Sequence, residues 1–194
     1  MTVSAIKPAG WGNIVVPDIK ATATRVVYEN RWMRVREDAI VRRDGTPGIY
    51  GVVEKADFAV IAAIEDGMIH LVEQYRYPVK GRYWELPQGS WEEAPGTDPL
   101  DLARAELREE TGLTAESMIH VGHLFECYGY STQGFHIYLA QGLKPGEANR
   151  EASEQDMVSR AFPIAAVLGM IAGGTIKDAA TVATLGLLRL KGLI

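Results

Sequence analysis

Three glutamates near the middle of the chain have the type and spacing of ligands for a divalent cation. Glu106, Glu109 and Glu110 lie in a segment that predicts a helix, so their side chains fall within an arc of about 100° on one face. Carboxylates this close repel one another, and the negative end of the helix dipole disfavours the last two further. A hard cation such as Mg²⁺ offsets both effects. The alternative is a solvated face on which the glutamates are only good helix formers.

The helix that carries these glutamates has a signal at each end. Asp98 is a suitable N-cap, Pro99 fits the first helical position, and Gly112 fits the position after the last turn. Together they predict a helix over residues 99–111. Its apolar positions occupy the sector beside the carboxylates, which favours packing of the helix on a sheet with the acidic face turned to a site.

The segment GSWEEAPGTDPLDLARAELREETGL, residues 89–113, resembles the signature box of the Nudix hydrolases. That box runs Gly, five residues, Glu, seven residues, then Arg-Glu-apolar-x-Glu-Glu-x-Gly-apolar. The match is densest in AELREETGL, which carries the three glutamates. The segment departs from the box in three ways. The loop after Gly89 is longer by two residues, Thr97 stands at the position of the first glutamate, and Ala105 stands at the position of the arginine.

The resemblance implies a metal-dependent hydrolase of nucleoside diphosphates linked to another moiety. In such an enzyme Glu106 and Glu110, assisted by Glu109 and by the backbone carbonyl near Gln88, hold Mg²⁺, with Mn²⁺ as the alternative ion. A bound ion turns an acidic cluster into a phosphate acceptor and lowers the pKa of a water molecule. We therefore expect Mg²⁺ as the cofactor.

A catalytic base is implied as well. In the members that hydrolyse ADP-ribose, a glutamate in a loop after the last strands often takes the proton of the attacking water or orients that water. The corresponding loop here is GEANREASEQDMVSR. Glu154 is the first candidate and Glu151 the second, and Glu109 on the helix is a further catalytic candidate. A solvated loop glutamate is the alternative for each of the first two.

Resemblance to the hydrolases of ADP-ribose and related nucleoside diphosphate sugars covers most of the chain after about residue 25. It implies an N-terminal strand unit that packs across a twofold axis, hence a homodimer, and an aromatic platform for the base, for which Trp32 is the candidate. Arg76 and Arg82 are candidates for contacts to phosphate or to the terminal sugar. The ordinary alternatives are a core aromatic residue for Trp32 and an edge-strand charge for Arg76.

Two other functions stay open. Tyr128 and Tyr130 stand where hydrolases of ADP-ribose usually have a proline, and a tyrosine in this neighbourhood is more typical of dinucleoside polyphosphate hydrolases. Loss of the box arginine at Ala105 favours a Nudix-type protein that binds a nucleotide sugar without cleaving it. A zinc enzyme is disfavoured because the histidines lack paired helical spacing, although His120 and His123 lie close in sequence.

The elements around the box predict an α+β fold, and the resemblance implies a Nudix-type α/β/α sandwich with a mixed sheet, preceded by an N-terminal antiparallel strand unit. Asp66-Gly67 between two apolar runs indicates a hairpin. Helical spacing of apolar residues marks residues 163–172 and 178–190. We expect an arm and strand unit over residues 1–55, for dimerisation and substrate binding, and a hydrolase domain over residues 56–194.

Composition and charge exclude several classes of protein. The chain of 194 residues is 47% hydrophobic and 23% charged, which is typical of a folded globular domain. Its formal net charge of −5 gives no general attraction to polyanions, so we expect no nucleic-acid partner. With one cysteine, no basic leader and no long apolar stretch, the sequence predicts a cytoplasmic protein without a membrane partner.

Overall fold

A computed structural model of the chain describes residues 18–91, 94, 96–149 and 156–194. The N-terminal strand unit predicted from the sequence is a separate three-stranded antiparallel sheet in the order β1-β2-β3. Its strands are β1 (Ile19–Glu29), β2 (Arg34–Arg42) and β3 (Pro47–Glu54). Every residue of β1 is exposed, and this strand forms one edge of the small sheet.

The second sheet is mixed. Its main path is β10-β5-β4-β9-β8, with β6 paired to β5 and β7 paired to β4. Of these pairings, β4 with β9 is parallel and the others are antiparallel. The strands are β4 (Phe58–Glu65), β5 (Met68–Arg76), β6 (Gly81–Glu85), β7 (Gln88–Gly89), β8 (Leu113–Phe125), β9 (Gly134–Pro145) and β10 (Val158–Pro163).

Helices cover both faces of the mixed sheet. The helices are α1 (Pro99–Thr111), α2 (Ile164–Ala172) and α3 (Ala179–Leu190). Strand β4 is buried on both sides: Val60 and Ala62 belong to the core that α2 and α3 close, while Ala59 and Ile61 belong to the core that α1 closes. Side chains alternate between the faces of a strand, so this strand separates two apolar layers. The predicted α/β/α sandwich with a mixed sheet is confirmed.

Helix α1 has the predicted bounds for the predicted reasons. The carboxylate of Asp98 accepts a hydrogen bond of 2.9 Å from the N–H of Leu100, which satisfies one of the free donors at the N-terminus. At the other end Gly112 has φ 75°, and its N–H donates to the carbonyl of Arg108. A residue with a Cβ is strained in this left-handed conformation. The helix therefore ends where the sequence indicates.

The predicted turn at Asp66-Gly67 connects β4 to β5. Both residues have positive φ, 49° and 74°, as a type I′ hairpin turn requires. The two strands pair only at Ile64↔Ile69 and Glu65↔Met68, and then separate. Beyond this point β4 pairs with β7 and β9, while β5 pairs with β6 and β10. The turn thus has the conformation of a hairpin turn, but the two strands that it connects do not form a regular hairpin.

Backbone hydrogen bonds join the two sheets. The N–H of Val53 donates to the carbonyl of Tyr130 over 2.8 Å, and the N–H of Thr132 donates to the carbonyl of Val53 over 3.0 Å. The hydroxyl of Tyr50 donates to the carbonyl of Gly129 over 2.6 Å. The end of β3 is thereby fixed to the β8–β9 connection. Among the helices of the described residues, none is both long and apolar enough to cross a bilayer.

Candidate active site

The chain immediately before the acidic helix is fastened to the core. The N–H of Ile61 donates to the carbonyl of Pro87 over 2.9 Å. The N–H of Leu86 donates to the hydroxyl of Thr181 on α3 over 2.8 Å. Gly89 then pairs with β4 opposite Ala59. Because it is held by both a central strand and α3, this segment forms a fixed floor for the site.

The acidic face of α1 lies against that floor. Glu106 and Glu110 are buried and Glu109 is half-buried. The N–H of Gln88 donates to Oε2 of Glu110 over 3.0 Å. A Cβ added to Gly89 would lie 2.4 Å from the carboxylate atoms of Glu106, so only glycine lets this carboxylate approach. The structure brings Glu106 and Glu110 together with the Gln88–Gly89 backbone, and Glu109 lies on the same helix.

The donor set at this point fits a hard divalent cation. It consists of carboxylate oxygens, which Mg²⁺ and Mn²⁺ prefer. The side-chain oxygen Oε1 of Gln88 is buried and has no hydrogen-bond partner among the described residues. A buried acceptor without a partner is costly, and a cation or its bound water satisfies such an oxygen. Gln88 was predicted as a ligand through its backbone carbonyl, and the structure adds its side chain to the candidate ligands.

A cavity of about 210 Å³ opens above Gln88 and Gly89. Lys55, Arg76, Glu126 and Asp178 also line it. Burial raises the pKa of Glu126, an effect that Asp178 increases and Lys55 opposes. Two basic side chains, Lys55 and Arg76, and two acidic ones, Glu126 and Asp178, thus line the same cavity. Basic groups suit a diphosphate, and acidic groups suit a metal ion.

Arg76, a predicted substrate-binding residue, is held in this cavity by a buried carboxylate. Its Nε donates to Oε2 of Glu85 over 3.1 Å and its terminal nitrogen donates to Oε1 of the same group. Gln74 donates to Glu85 over 2.9 Å. Burial raises the pKa of Glu85, and Arg76 opposes that rise. Burial lowers the pKa of Arg76, but Glu85, with smaller contributions from Glu110 and Asp178, raises it above its usual value. The two-point pairing fixes the direction of the guanidinium. Arg76 is thus more than an edge-strand charge.

Comparison with known proteins decides the family. The model of the NUDIX domain matches residues 55–184. The chain belongs to the Nudix family. A second model, described as the nucleoside diphosphate sugar hydrolase N-terminal domain, matches residues 19–53, which are the residues of the small sheet. The resemblance predicted from the box is confirmed, and so is the enzyme class, a hydrolase that acts on pyrophosphate bonds.

Relatives of known function are consistent with membership of the Nudix family. The chain is 31% identical over 168 residues to an ADP-ribose pyrophosphatase of Mycobacterium tuberculosis, covering 86% of this chain and 81% of that protein. It is also 31% identical over 134 residues to an ADP-ribose pyrophosphatase of Bacillus subtilis, covering 69% and 71%. A crystal structure described as ADP compounds hydrolase superposes with a TM-score of 0.79 at 21% identity, covering 91% and 96%, and shows the same fold. Nudix enzymes of this kind depend on divalent metal ions.

Two of the three departures from the Nudix box replace a charged residue of the motif. Thr97, at the position of the first glutamate, donates its hydroxyl to the carbonyl of Ala94 over 2.9 Å and so closes a turn in the loop. Ala105, at the position of the arginine, is half-buried on α1. Thr97 thus supports the local fold of the loop, while the three glutamates predicted further along α1 match the box.

The predicted base candidates Glu151 and Glu154 lie outside the described residues, but both described ends of their loop are anchored. At its start, the N–H of Asn149 donates to the carbonyl of Glu109 over 3.2 Å. At its end, Asp156 pairs with Arg82, which also pairs with Glu73 over 2.8 Å. The contacts of Arg82, predicted to bind substrate, are thus to β5 and to Asp156 within the loop.

Trp32, the predicted base platform, lies in the turn between β1 and β2 and is 48% exposed. It is therefore not a core aromatic residue. Asn30 fixes the turn by accepting hydrogen bonds of 2.9 Å from the N–H groups of Trp32 and Met33. The ring lines an open groove of about 360 Å³, with the guanidinium of Arg31 4.3 Å from its centroid. Lys55 lines this groove and the active-site cavity, so the two are neighbours.

Sequence reasoning missed several residues of the cavity. Lys55, Glu126 and Asp178 come from the end of the small sheet, the end of β8 and the N-cap of α3. None of them belongs to a motif. Asp178 did carry a signal, because it begins a predicted helix, but that signal indicates a cap rather than a site. Tertiary folding alone makes these residues neighbours.

Proposed function

We propose that this chain hydrolyses the pyrophosphate bond of ADP-ribose or of a related nucleoside diphosphate sugar, and that the products are a nucleoside monophosphate and a sugar phosphate. One observation carries the proposal: two buried Nudix-box carboxylates face Gln88 and Gly89 beside a cavity that also presents Arg76. Two relatives that are 31% identical are named ADP-ribose pyrophosphatase, which supports the substrate class.

Glu106, Glu110, Glu109 and Gln88 are the residues proposed to hold Mg²⁺, with Mn²⁺ as the alternative. Such an ion lowers the pKa of a bound water and neutralises charge on the diphosphate. The floor segment holds Glu110 through the hydrogen bond from the N–H of Gln88. A fixed ligand geometry costs no reorganisation during the reaction.

The remaining groups bind the substrate and move its protons. Arg76, oriented by Glu85, donates to the diphosphate or to the terminal sugar, and Lys55 adds a second positive charge at the same cavity. Trp32 stacks on the nucleobase in the neighbouring groove. Glu154, or Glu151 as the second candidate, accepts the proton of the attacking water. Arg82 fixes the end of the loop that contains them through Asp156.

A homodimer through the small sheet accompanies this function. The edge strand β1 is exposed over its whole length, and Val26, Val27 and Tyr28 are each about half exposed. An unpaired apolar edge of this length is a template for pairing with a second chain. Light scattering should give the mass of two chains, and Val26→Lys should shift the mass towards one. The cytoplasm is the proposed location.

The substrate class is tested by product release from a panel with and without Mg²⁺. The panel contains ADP-ribose, other nucleoside diphosphate sugars, dinucleoside polyphosphates and nucleoside triphosphates. Metal-dependent formation of AMP and ribose 5-phosphate from ADP-ribose supports the proposal. Turnover of dinucleoside polyphosphates alone would overturn the substrate and favour a role for Tyr128 and Tyr130, which are 82% and 56% exposed. Metal-independent binding without products would indicate a nucleotide-sugar-binding protein.

The catalytic base is tested by substitution within its loop. Glu154→Gln and Glu151→Gln are compared with Glu147→Gln, which changes an exposed glutamate of the same connection. The variant that removes the base should lose kcat about 10²–10⁴-fold and lose the acidic limb of the pH–rate profile, with little change in KM. Equal activity of both variants and the control would place the base elsewhere, and Glu126 in the cavity would be tested next.

A further inference from the structure

Three side chains outside the acidic site converge on one point beside the box loop. Nε2 of His123 lies 2.9 Å from Oδ2 of Asp57, and Nε2 of His136 lies 3.8 Å from the same oxygen. These three atoms lie within 4.8 Å of one another. A cavity of about 170 Å³ next to Asp57 and His136 is also lined by Trp91 and Thr97 of the box loop.

Strand register explains why the imidazoles meet. His123 and His136 are directly opposite each other in the antiparallel pair β8–β9, where facing side chains are in contact. His120 is three residues before His123, and in a regular strand the two would point to opposite faces. A register shift between His120 and Gly122 reverses that alternation. As a result, the rings of His120 and His123 lie 5.5 Å and 4.7 Å from the ring of His136.

We propose that Asp57, His123 and His136 form a binding site for a borderline divalent transition metal, Zn²⁺ in particular. Two imidazole nitrogens and one carboxylate oxygen are a donor set that Zn²⁺ accepts, whereas Mg²⁺ prefers oxygen alone. Zinc bonds of 2.0–2.2 Å at tetrahedral angles place ligand atoms about 3.3–3.6 Å apart. The separations of 2.9 and 3.8 Å from the Asp57 oxygen lie on either side of that range, and the two imidazole nitrogens are at most 4.8 Å apart. Side-chain rotations would bring the three atoms to zinc-binding distances.

A second histidine orients the imidazole of His136 for coordination. Nδ1 of His136 lies 3.4 Å from Nε2 of His120, so a proton held between these two nitrogens leaves Nε2 of His136 free to coordinate. His120 is therefore a positioning residue for the ligand His136.

An ion here would tie separate parts of the chain together. Oδ1 of Asp57 already accepts a hydrogen bond of 2.8 Å from the N–H of Gly134 at the start of β9. A Cβ on Gly134 would lie 2.4 Å from Nε2 of His123, which shows how closely the ring covers this turn. An ion held there would replace the contact between His123 and Asp57 and would join the start of β4 to β8 and β9. This site needs none of the box carboxylates and does not rest on the proposed hydrolase function.

The test is calorimetric titration of the full chain with Zn²⁺. Excess Mg²⁺ is present throughout, so that it occupies the acidic site. We expect one Zn²⁺ per chain that Mg²⁺ does not displace. His136→Gln and Asp57→Asn should each weaken it about 100-fold or more, since loss of a ligand exceeds the 10–100-fold cost of losing an outer partner. His120→Phe, which keeps the ring contact, should weaken it about 10-fold. His70→Gln on β5 is the matched histidine control.

Two results would overturn the proposal. One is equal Zn²⁺ affinity in wild type, His136→Gln and Asp57→Asn; the other is loss of this binding in Glu110→Gln, which would assign the ion to the acidic site. A further measurement uses only the wild-type chain, so it does not depend on whether a substituted chain folds. The Cu²⁺-loaded wild-type chain should show electron paramagnetic resonance couplings to two imidazole nitrogens. An oxygen-only spectrum contradicts the site.

Discussion

The acidic site on α1 and the His/Asp cluster on β8–β9 are two candidate metal sites of opposite character. In the first, carboxylates are buried against a backbone floor, with Glu110 at 0% exposure. In the second, Asp57 and His123 are exposed and His136 is half-buried, with the Asp57 side chain at 42% exposure. Buried oxygen donors suit a hard ion that acts on phosphate, and exposed nitrogen donors suit a borderline ion. We therefore expect the two proposed sites to bind different ions.

The two sites also differ in how the chain assembles them. Gln88 and Glu110 are 22 residues apart, and Gln88 directly precedes the box that contains Glu110. Asp57 and His123 are 66 residues apart, and a strand bulge must place His120 and His123 on one face. A helix fixes side-chain direction through its own period, whereas a sheet face depends on register with a partner strand. Substitutions can therefore impair the acidic site on α1 without affecting the His/Asp cluster on β8–β9, and the reverse.

The largest effect should come from the buried carboxylate of the acidic site. Glu110→Gln keeps an acceptor for the N–H of Gln88 but removes the charge that holds the cation. We expect kcat for ADP-ribose to fall about 10³-fold, which corresponds to several kcal/mol of lost charge stabilisation. Glu116→Gln, which changes an exposed glutamate paired with Lys144 over 2.9 Å, is the control. Equal activity of the two variants would remove Glu110 from the site.

A second test uses the close approach at Gly89. In Gly89→Ala the new Cβ meets the Glu106 carboxylate at 2.4 Å and must displace it. We expect kcat to fall about 10²-fold, since displacement of a reacting group by about 1 Å costs that much, and the Mg²⁺ concentration for half-maximal rate to rise. Gly51→Ala, where a Cβ meets nothing within 4 Å, should have the wild-type rate. An unaltered Mg²⁺ dependence in Gly89→Ala would mean that Glu106 is not a ligand.

A third test concerns a site assembled from distant segments, the groove at Trp32. Trp32→Ala should raise KM for ADP-ribose about 10-fold with little change in kcat, because stacking a base on an aromatic ring contributes about 1–3 kcal/mol. Tyr75→Ala removes an aromatic ring of similar exposure, 47%, from β5 and serves as the control. If kcat falls instead of KM rising, the ring supports the fold rather than the nucleobase.

The smallest effect concerns His70, the histidine outside both sites. Burial lowers its pKa, so between its folded pKa and its unfolded value of about 6.5 the unfolded chain binds more protons. Stability that His70 contributes at neutral pH is therefore lost as pH falls through this window. Thermal unfolding at pH 8 and pH 5.5, with a chelator present, should show a smaller pH dependence for His70→Gln than for wild type. An identical dependence would show that His70 titrates normally.

Local elements were predictable because their signals are local. The helix bounds at Asp98 and Gly112 depend on capping groups within four residues of each end, and the Asp66-Gly67 turn depends on two backbone conformations. The strand pairings were not predictable in the same way. Nothing between β4 and β5 indicates that they separate after two residue pairs, or that β4 runs parallel to β9. Long-range packing of apolar faces decides those pairings.

The sequence by itself determined the family, the acidic face of α1 and the ends of that helix, because a motif and a helix period act over a few residues. Only the tertiary structure decided that Arg76 is oriented by the buried Glu85 and that Lys55 joins the Trp32 groove to the cavity. It also decided the meeting of His123 with His136. Each of these contacts joins different strands or separate surfaces, and strand register and sheet order, which set such contacts, are properties of the folded chain.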